Sequence, residues 1–481
     1  MKTIVIGAGI GGLATSIRLA AAGHQVEILE RNPIVGGKLA TLDEAGYSFE
    51  LGPTLLTLPH VFDELFELAG TTLADEVELV RLDPQVRYRW PNGTTLDVPD
   101  DPAAFPAALD TFSPGSGAQW RQFAEHTAQL WEISERTFLA GPMGSPMAML
   151  SRMRSPLDIG RIDGKRTLAK SAAAHFDDPR LQQLVGRYAT YSGSSPFLTP
   201  ATLACIAHVE QAFGCWYVMG GLGRLRDALE RVAGRVGVTI RTGVDVGRIT
   251  FDGRKVTGVE LADGGAEQAD LVVSNVDAAH LYTDLLPHPK QAKRLDQSGR
   301  STSAFVICAA VRGRTEGIAH HNVFFSLHDR QEFKYLEAGQ MAIDPTIYAS
   351  VSSVTDPSQA PADSENWYML VNTPPATGLD RKMMTAAVLN RLAERGFDLR
   401  TRIDYTRTLV PADFEARYRA VDGAIYGTSS NGKRAAFSRP DNVGPVDGLY
   451  LVGGSAHPGG GLPMVAISAR IVADLVAERH G

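Results

Sequence analysis

Cysteine is scarce in this chain: only Cys205, Cys215 and Cys308 occur in 481 residues. Three so scattered suit neither a disulfide framework nor a zinc site, so they read as packed, reduced thiols, and no metal is expected. No apolar run reaches the roughly 18 residues needed to span a bilayer. The short stretch Ile4-Val5-Ile6 runs straight into glycines, which suits a buried strand and its turn rather than a secretory signal. The chain is therefore expected not to cross a membrane, while a position on a membrane surface stays open. A basic excess is also missing. With a net charge of −7 there is no field to neutralise phosphates, so nucleic acid is not an expected partner. Repeats and low-complexity tracts are absent, and the polar stretch Ser353 to Glu365 reads as a solvated loop. The length suffices for two or three lobes around large cores.

The N-terminus is rich in pattern. Thr3-Ile4-Val5-Ile6 has the β-branched character of a buried parallel strand, and Leu13 to Ala22 carries apolar residues at helical spacing. Gly23 ends that helix, and Gln25 to Glu30 follows as a second strand. Between strand and helix lies Gly7-Ala8-Gly9-Ile10-Gly11-Gly12, which fits G-x-G-x-x-G. Gly7 permits the tight turn, Gly9 lets backbone approach a pyrophosphate, and Gly12 allows close helix–strand packing. Glu30 ends the second strand about 20 residues on, where a carboxylate can accept bonds from ribose hydroxyls. Strand, helix, strand and acid in this order predict a dinucleotide site.

Further on, residues 225–260 predict a helix, a strand and a strand pair around Asp252-Gly253, and Ala269 to Asn275 predicts another strand. Ser303 to Val311 and Trp367 to Asn372 read as strands of a separate sheet. The C-terminus repeats the opening logic: strand Leu449 to Val452, then Gly453-Gly454, then His457-Pro458-Gly459-Gly460-Gly461 and a helix from Pro463 to Glu478. A second helix start of this kind suits FAD, whose ribityl chain and ring system extend far beyond the adenine half. Helix-start N–H groups can stabilise charge on the reduced ring. An NAD-only protein needs no such turn. No cysteine follows Cys308, so FAD is expected to be held noncovalently.

Gly7 to Gly12, Glu30 to Lys38, Gly52-Pro53-Thr54, Tyr217 to Leu225, Ala269 to Asn275 and Gly453 to Ala473 together resemble the bacterial phytoene-desaturase-like carotenoid desaturases. Gly186 to Phe197, Ala424 to Asn431, Arg434 to Phe437 and Gly453 to Gly461 resemble the 1-hydroxycarotenoid 3,4-desaturase subgroup more closely. The resemblance implies an α/β fold, α+β in the substrate lobe: a Rossmann-type FAD domain of the amine oxidase and phytoene desaturase superfamily with an inserted substrate-binding domain. Residues 1–80, 225–300 and 420–481 would form the FAD domain, and 81–224 and 301–419 the substrate lobe. Carried over by position, Gly7, Gly9, Gly11, Gly12, Glu30, Arg31, Gly36, Gly37 and Lys38 would line FAD. Val246 would contact adenine, and Gly453, Gly454, Met464 and Val465 would bracket the flavin. Asn275 matches a family element near the cofactor without a role, and Glu50 stands where the family often has Asp.

The implied reaction removes a hydride to flavin N5 and a proton from adjacent carbons of a carotenoid held in a dry slot. The reaction so implied needs no strong base, because the conjugated product stabilises the positive charge developing in an allylic substrate. His457 could assist proton removal or bond the flavin; equally it could satisfy the turn backbone. Arg187, with Tyr188, could meet a terminal hydroxyl or form a buried structural pair. The electron acceptor, oxygen or a quinone, is not legible. Residues 143–170 mix Met147, Met149, Leu150, Met153, Leu157 and Ile159 with Arg152, Arg154, Arg161, Lys165 and Arg166. That mixture suits a peripheral contact with the inner face of the cell membrane, from the cytoplasm; a solvated helical face over a Met-lined core is the alternative. Two rivals share the fold, an amine oxidase and a non-catalytic lipid-carrying protein. The apolar Gly461 to Val465 offers no amine cage, and both glycine turns are intact.

Overall fold

The computed structural model describes every residue except Ser145, Arg434 and Gly481. Five strands from distant parts of the chain form one parallel sheet, in the spatial order Leu449–Leu451, Leu271–Ser274, Lys2–Ile6, Gln25–Glu30 and Thr239–Thr242. Val5 stands opposite both Ile28 and Val273, and Val273 opposite Tyr450. Four of these strands are almost wholly buried, as expected where helices cover both faces of a parallel sheet. One such helix, Ile10–Ala21, packs against Leu462–His480 and Gly223–Arg235. Leu13 and Ile17, one turn apart, are fully buried on its inner face; truncating either to Ala should cost roughly 2–5 kcal/mol.

The expected separate sheet is mixed and seven-stranded. Its order is Ile403–Leu409, Ser303–Arg312, Ser364–Thr373, Ile347–Val351, His321–Phe324, Val86–Arg89 and Thr95–Val98. Ser303–Arg312 and Ser364–Thr373 pair antiparallel along their whole length. A helical layer, including Ser116–Ser134 and Pro179–Gly186, joins the apolar core that begins under the parallel sheet. The same core takes in Val5 and Val273 of the parallel sheet and Val86, Val98 and Val323 of the seven-stranded one, so a cavity between the two sheets can be walled by both.

Ser353 to Glu365 is only in part the expected solvated loop: Val354, Pro357, Ser358 and Pro361 to Asp363 are exposed, but much of the rest is not. Ser353, Asp356, Gln359 and Glu365 are all buried. The Asp356 carboxylate accepts from Gly220 N at 2.7 Å and Tyr217 Oη at 3.2 Å. Glu365 accepts from Thr315 N and Trp367 Nε1 at 2.7 and 2.9 Å. Polarity misled here, because a carboxylate supplied with N–H donors can sit inside. Residues 143–170 hold two short helices, Pro146–Ser151 and Asp158–Arg161. Among the described residues no helix is long and apolar enough to cross a membrane.

Candidate cofactor and active site

All five parallel strands end on the same edge, and that edge builds the site. Beyond Ile6 the chain turns at Gly7, whose φ of +94° suits glycine. Beyond Leu451 it turns again at Gly453, with φ +109°. The strand Leu271–Ser274 lies between these two, and Asn275 at its end sits between the two turns. Asn275 N donates to Ile6 O at 2.9 Å, and its side-chain Nδ2 donates to Gly7 O at 3.3 Å. A β-carbon at Gly453 would lie 2.7 Å from Asn275 Oδ1, and one at Gly11 would lie 3.2 Å from Gly453 Cα. The two turns thus close over one amide. That is the role Asn275 lacked in the sequence, where only its place after a buried Val-Val-Ser run hinted at it.

The donors around these turns fit a dinucleotide. The helix Ile10–Ala21 starts at Gly9 with no side-chain cap, and Ile10, Gly11 and Gly12 are buried. A buried, uncapped helix start leaves N–H groups and a positive dipole end that call for an anion, which a pyrophosphate supplies. Glu30 is held ready beside it. One of its carboxylate oxygens accepts from Ala8 N at 2.7 Å, and the other accepts from Asn32 N and Nδ2 at 2.8 Å each.

A cavity of about 480 Å³ runs along this edge. Of the residues expected to line FAD, it brings together Gly7, Gly9, Gly11, Glu30, Arg31, Gly36, Gly37, Lys38, Val246, Gly453, Gly454 and Val465. Arg31 donates to the carbonyls of Ala416 and Arg417, at 2.6 and 2.8 Å. Lys38 Nζ donates to Ile425 O at 2.7 Å. Burial pulls the Lys38 amine below its usual range, and Asp277 opposes that pull. Arg439, which the sequence did not single out, is buried and ties the site's backbone together. It donates to the carbonyls of Tyr426 and Gly454, both at 2.9 Å, and of Thr428 at 3.0 Å.

Three residues fall elsewhere. Gly12 is not on the cavity wall; it lies beneath, where a β-carbon would collide with Gly7 O. Met464 packs on the apolar core, because one residue of helix rotates it away from the face that Val465 presents. His457 is also off the wall. Its ring Nε2 lies 2.7 Å from Phe138 O and 3.1 Å from Gly141 O, so the ring anchors the turn to residues 138–141. Burial lowers its pKa, which leaves it a neutral donor there. The proposed proton-removing or flavin-bonding role for His457 does not fit this geometry.

Past the glycine turns the cavity is lined by residues of the seven-stranded region as well. Val323, Phe325, Phe333, Tyr348, Tyr368 and Leu370 wall it. Arg187 faces it as well, but is bound from behind: Nη1 donates to Tyr88 Oη at 2.7 Å, and Glu210 lies 3.9 Å away. Tyr88 and Tyr191 flank the guanidinium with ring centroids at 5.4 and 5.2 Å. Tyr188 is buried and off the wall. Arg187 thus reaches the cavity wall while its guanidinium is bonded to Tyr88.

Comparison with known proteins matches residues 10–477 to the flavin containing amine oxidoreductase family. The 4,4'-diapolycopene oxygenase of a Methylomonas species is 33% identical, over 99% of this chain and 98% of its own. The 1-hydroxycarotenoid 3,4-desaturase of a Flavobacterium strain is also 33% identical, over 100% and 99%. The hydroxyneurosporene desaturase of Cereibacter sphaeroides is 36% identical, over 99% and 97%. Among solved structures, an oxidoreductase from Methanosarcina mazei shares the fold, with a TM-score of 0.67 at 20% identity over 98% of this chain and 100% of its own. With its two glycine turns closed over one cavity and these relatives matched end to end, the chain belongs to the flavin containing amine oxidoreductase family and is an FAD-dependent oxidoreductase.

Proposed function

We propose that this protein introduces carbon–carbon double bonds into a carotenoid, specifically as a 3,4-desaturase of a 1-hydroxycarotenoid. The observation that carries the reading is the single cavity, which starts at the dinucleotide turns and continues without a break into an apolar chamber. Bound FAD supplies the hydride acceptor. The chain's own residues do the rest. The rings of Phe325, Phe333, Tyr348 and Tyr368 exclude water and hold a flat polyene, while Leu462, Pro463 and Val465 keep the wall beside the second turn apolar.

On this reading, residues 1–80, 225–300 and 420–481 are the FAD domain, and 81–224 and 301–419 the substrate lobe. The substrate arrives from a bilayer, with the protein bound peripherally on its cytoplasmic side. Met147, Leu157 and Ile159 support such a contact with 73%, 65% and 53% of their surfaces exposed. Leu198, two residues along the chain from the cavity-lining Pro196, is exposed, as are Leu327 and Ile343. Several cations of residues 143–170 face carboxylates, as Arg154 does Glu132 at 2.8 Å, so the apolar residues carry most of the argument. Flotation with anionic liposomes should lose the protein when Met147, Leu157 and Ile159 become Ser; retention would remove the contact.

The test of the activity is turnover. Holoprotein incubated with a panel of carotenoids and an acceptor should give products lacking two hydrogens and retaining their oxygen count. Oxygen insertion, or no product while flavin stays bound, would overturn the assignment.

A further inference from the structure

The cavity wall carries a chain of hydrogen-bonded polar groups, Thr54, Tyr348 and His321, whose hydrogen bonding the proposed reaction does not use. Thr54 Oγ1 lies 2.5 Å from Tyr348 Oη, and Tyr348 Oη lies 2.8 Å from His321 Nδ1. Thr54 and Tyr348 line the cavity; His321 is buried behind them at 1% exposure. Gly52, two residues before Thr54, packs so closely on Lys38 O that a β-carbon would collide with it, which sets Thr54 near the cofactor end.

We propose that Thr54 directs its hydroxyl hydrogen into the cavity and there selects substrates that carry an oxygen acceptor, an alcohol or a carbonyl, on an otherwise apolar chain. This rests on the polyene reading above and names how the site would read the polar end. The direction follows from proton placement. His321 is neutral, because burial and the nearby His320 and Arg187 all disfavour its charged form. A neutral ring carries one N–H. No partner is found for Nε2 among the described residues. A proton there would leave a buried donor unmet, which costs more than an unmet lone pair; on Nδ1 it donates to Tyr348 Oη. Ser350 also reaches the Tyr348 hydroxyl, which can accept a second bond. Tyr348's own hydrogen then goes to Thr54 Oγ1, its close neighbour. Thr54 accepts it and is left with one O–H. Among the described residues Thr54 Oγ1 has no further hydrogen-bond partner, so on this placement its hydrogen is left to the cavity that Thr54 lines.

The experiment compares holoenzyme turnover of two polyenes of equal length, with and without a terminal hydroxyl, as the ratio of their kcat/KM values. Wild type should favour the hydroxylated compound. T54V, nearly isosteric, should lower the ratio about tenfold, the value of one hydrogen bond to substrate, and T54S should restore it. Y348F removes the hydroxyl that aims Thr54 without altering Thr54, and should lower the ratio by a smaller factor. The proposal fails if T54V and Y348F both keep the wild-type ratio. It also fails if T54V weakens FAD binding tenfold at an unchanged ratio, since the hydrogen would then serve the cofactor. Wild type that turns over neither polyene overturns the parent reading as well, and a wild type active on both without preference overturns this proposal alone.

Discussion

Replacing Gly453 by Ala tests whether the closed pair of turns is what holds FAD. Two costs can be worked from the structure. At φ +109° an alanine occupies a region that β-carbons disfavour, a strain of about 1–3 kcal/mol. Its β-carbon would also stand 2.7 Å from Asn275 Oδ1, forcing the amide aside and breaking the Nδ2 bond to Gly7 O, about 1 kcal/mol more. Together these approach about 3 kcal/mol, roughly a hundredfold in the FAD Kd if the apoprotein relaxes the turn. If it does not relax, the same cost appears as lost stability. Fluorescence titration of apoprotein with FAD and urea unfolding, measured side by side, capture both. The double variant G453A/N275A separates the contributions: without the amide the collision vanishes, so it should recover about 1 kcal/mol over the sum of the single variants. G453A that binds FAD within threefold of wild type and unfolds at the same urea concentration would refute the closure argument. Strict additivity of the pair would refute the contact with Asn275.

Three further outcomes are expected. Burial raises the Glu50 carboxyl to about 7, against the pull of the Leu222 N–H, from 4.5 in the open chain. Its contribution to stability is full below pH 4.5 and is lost as pH rises through 7, so E50Q should gain on the order of 3 kcal/mol over wild type between pH 4.5 and 8. A pH-independent difference in urea midpoints would count against it. H457A should keep FAD and turn over within about threefold of wild type while losing roughly 1–3 kcal/mol of stability, because His457 anchors a turn rather than facing the cavity. A hundredfold loss of kcat with flavin bound would reverse that conclusion. R187M leaves Glu210 buried beside Tyr191 without its cation and should cost about 3–5 kcal/mol, with R187M/E210Q recovering most of it in denaturation experiments. Failure of the second substitution to recover stability would mean that the pair is not coupled.

Local sequence alone determined the two glycine turns, the helices that follow them and the strands that precede them. G-x-G-x-x-G and a run such as Ile4-Val5-Ile6 act through backbone within a few residues of themselves, and Glu30 stays inside the same strand–helix–strand unit by accepting from Ala8 N, 22 residues back. The family was legible for the same reason, since its motifs are short and contiguous. Tertiary structure decided whatever depends on facing across space. It placed Asn275 between turns separated from it by 268 and 178 residues of chain, buried Asp356 and Glu365 by bringing Gly220 and Thr315 to their carboxylates, and turned His457 toward Phe138 O. It also set Thr54 against Tyr348, 294 positions away. Hydrogen bonds of this kind leave no periodicity in a sequence, because each needs one side chain at one point in space and accepts it from any distance along the chain.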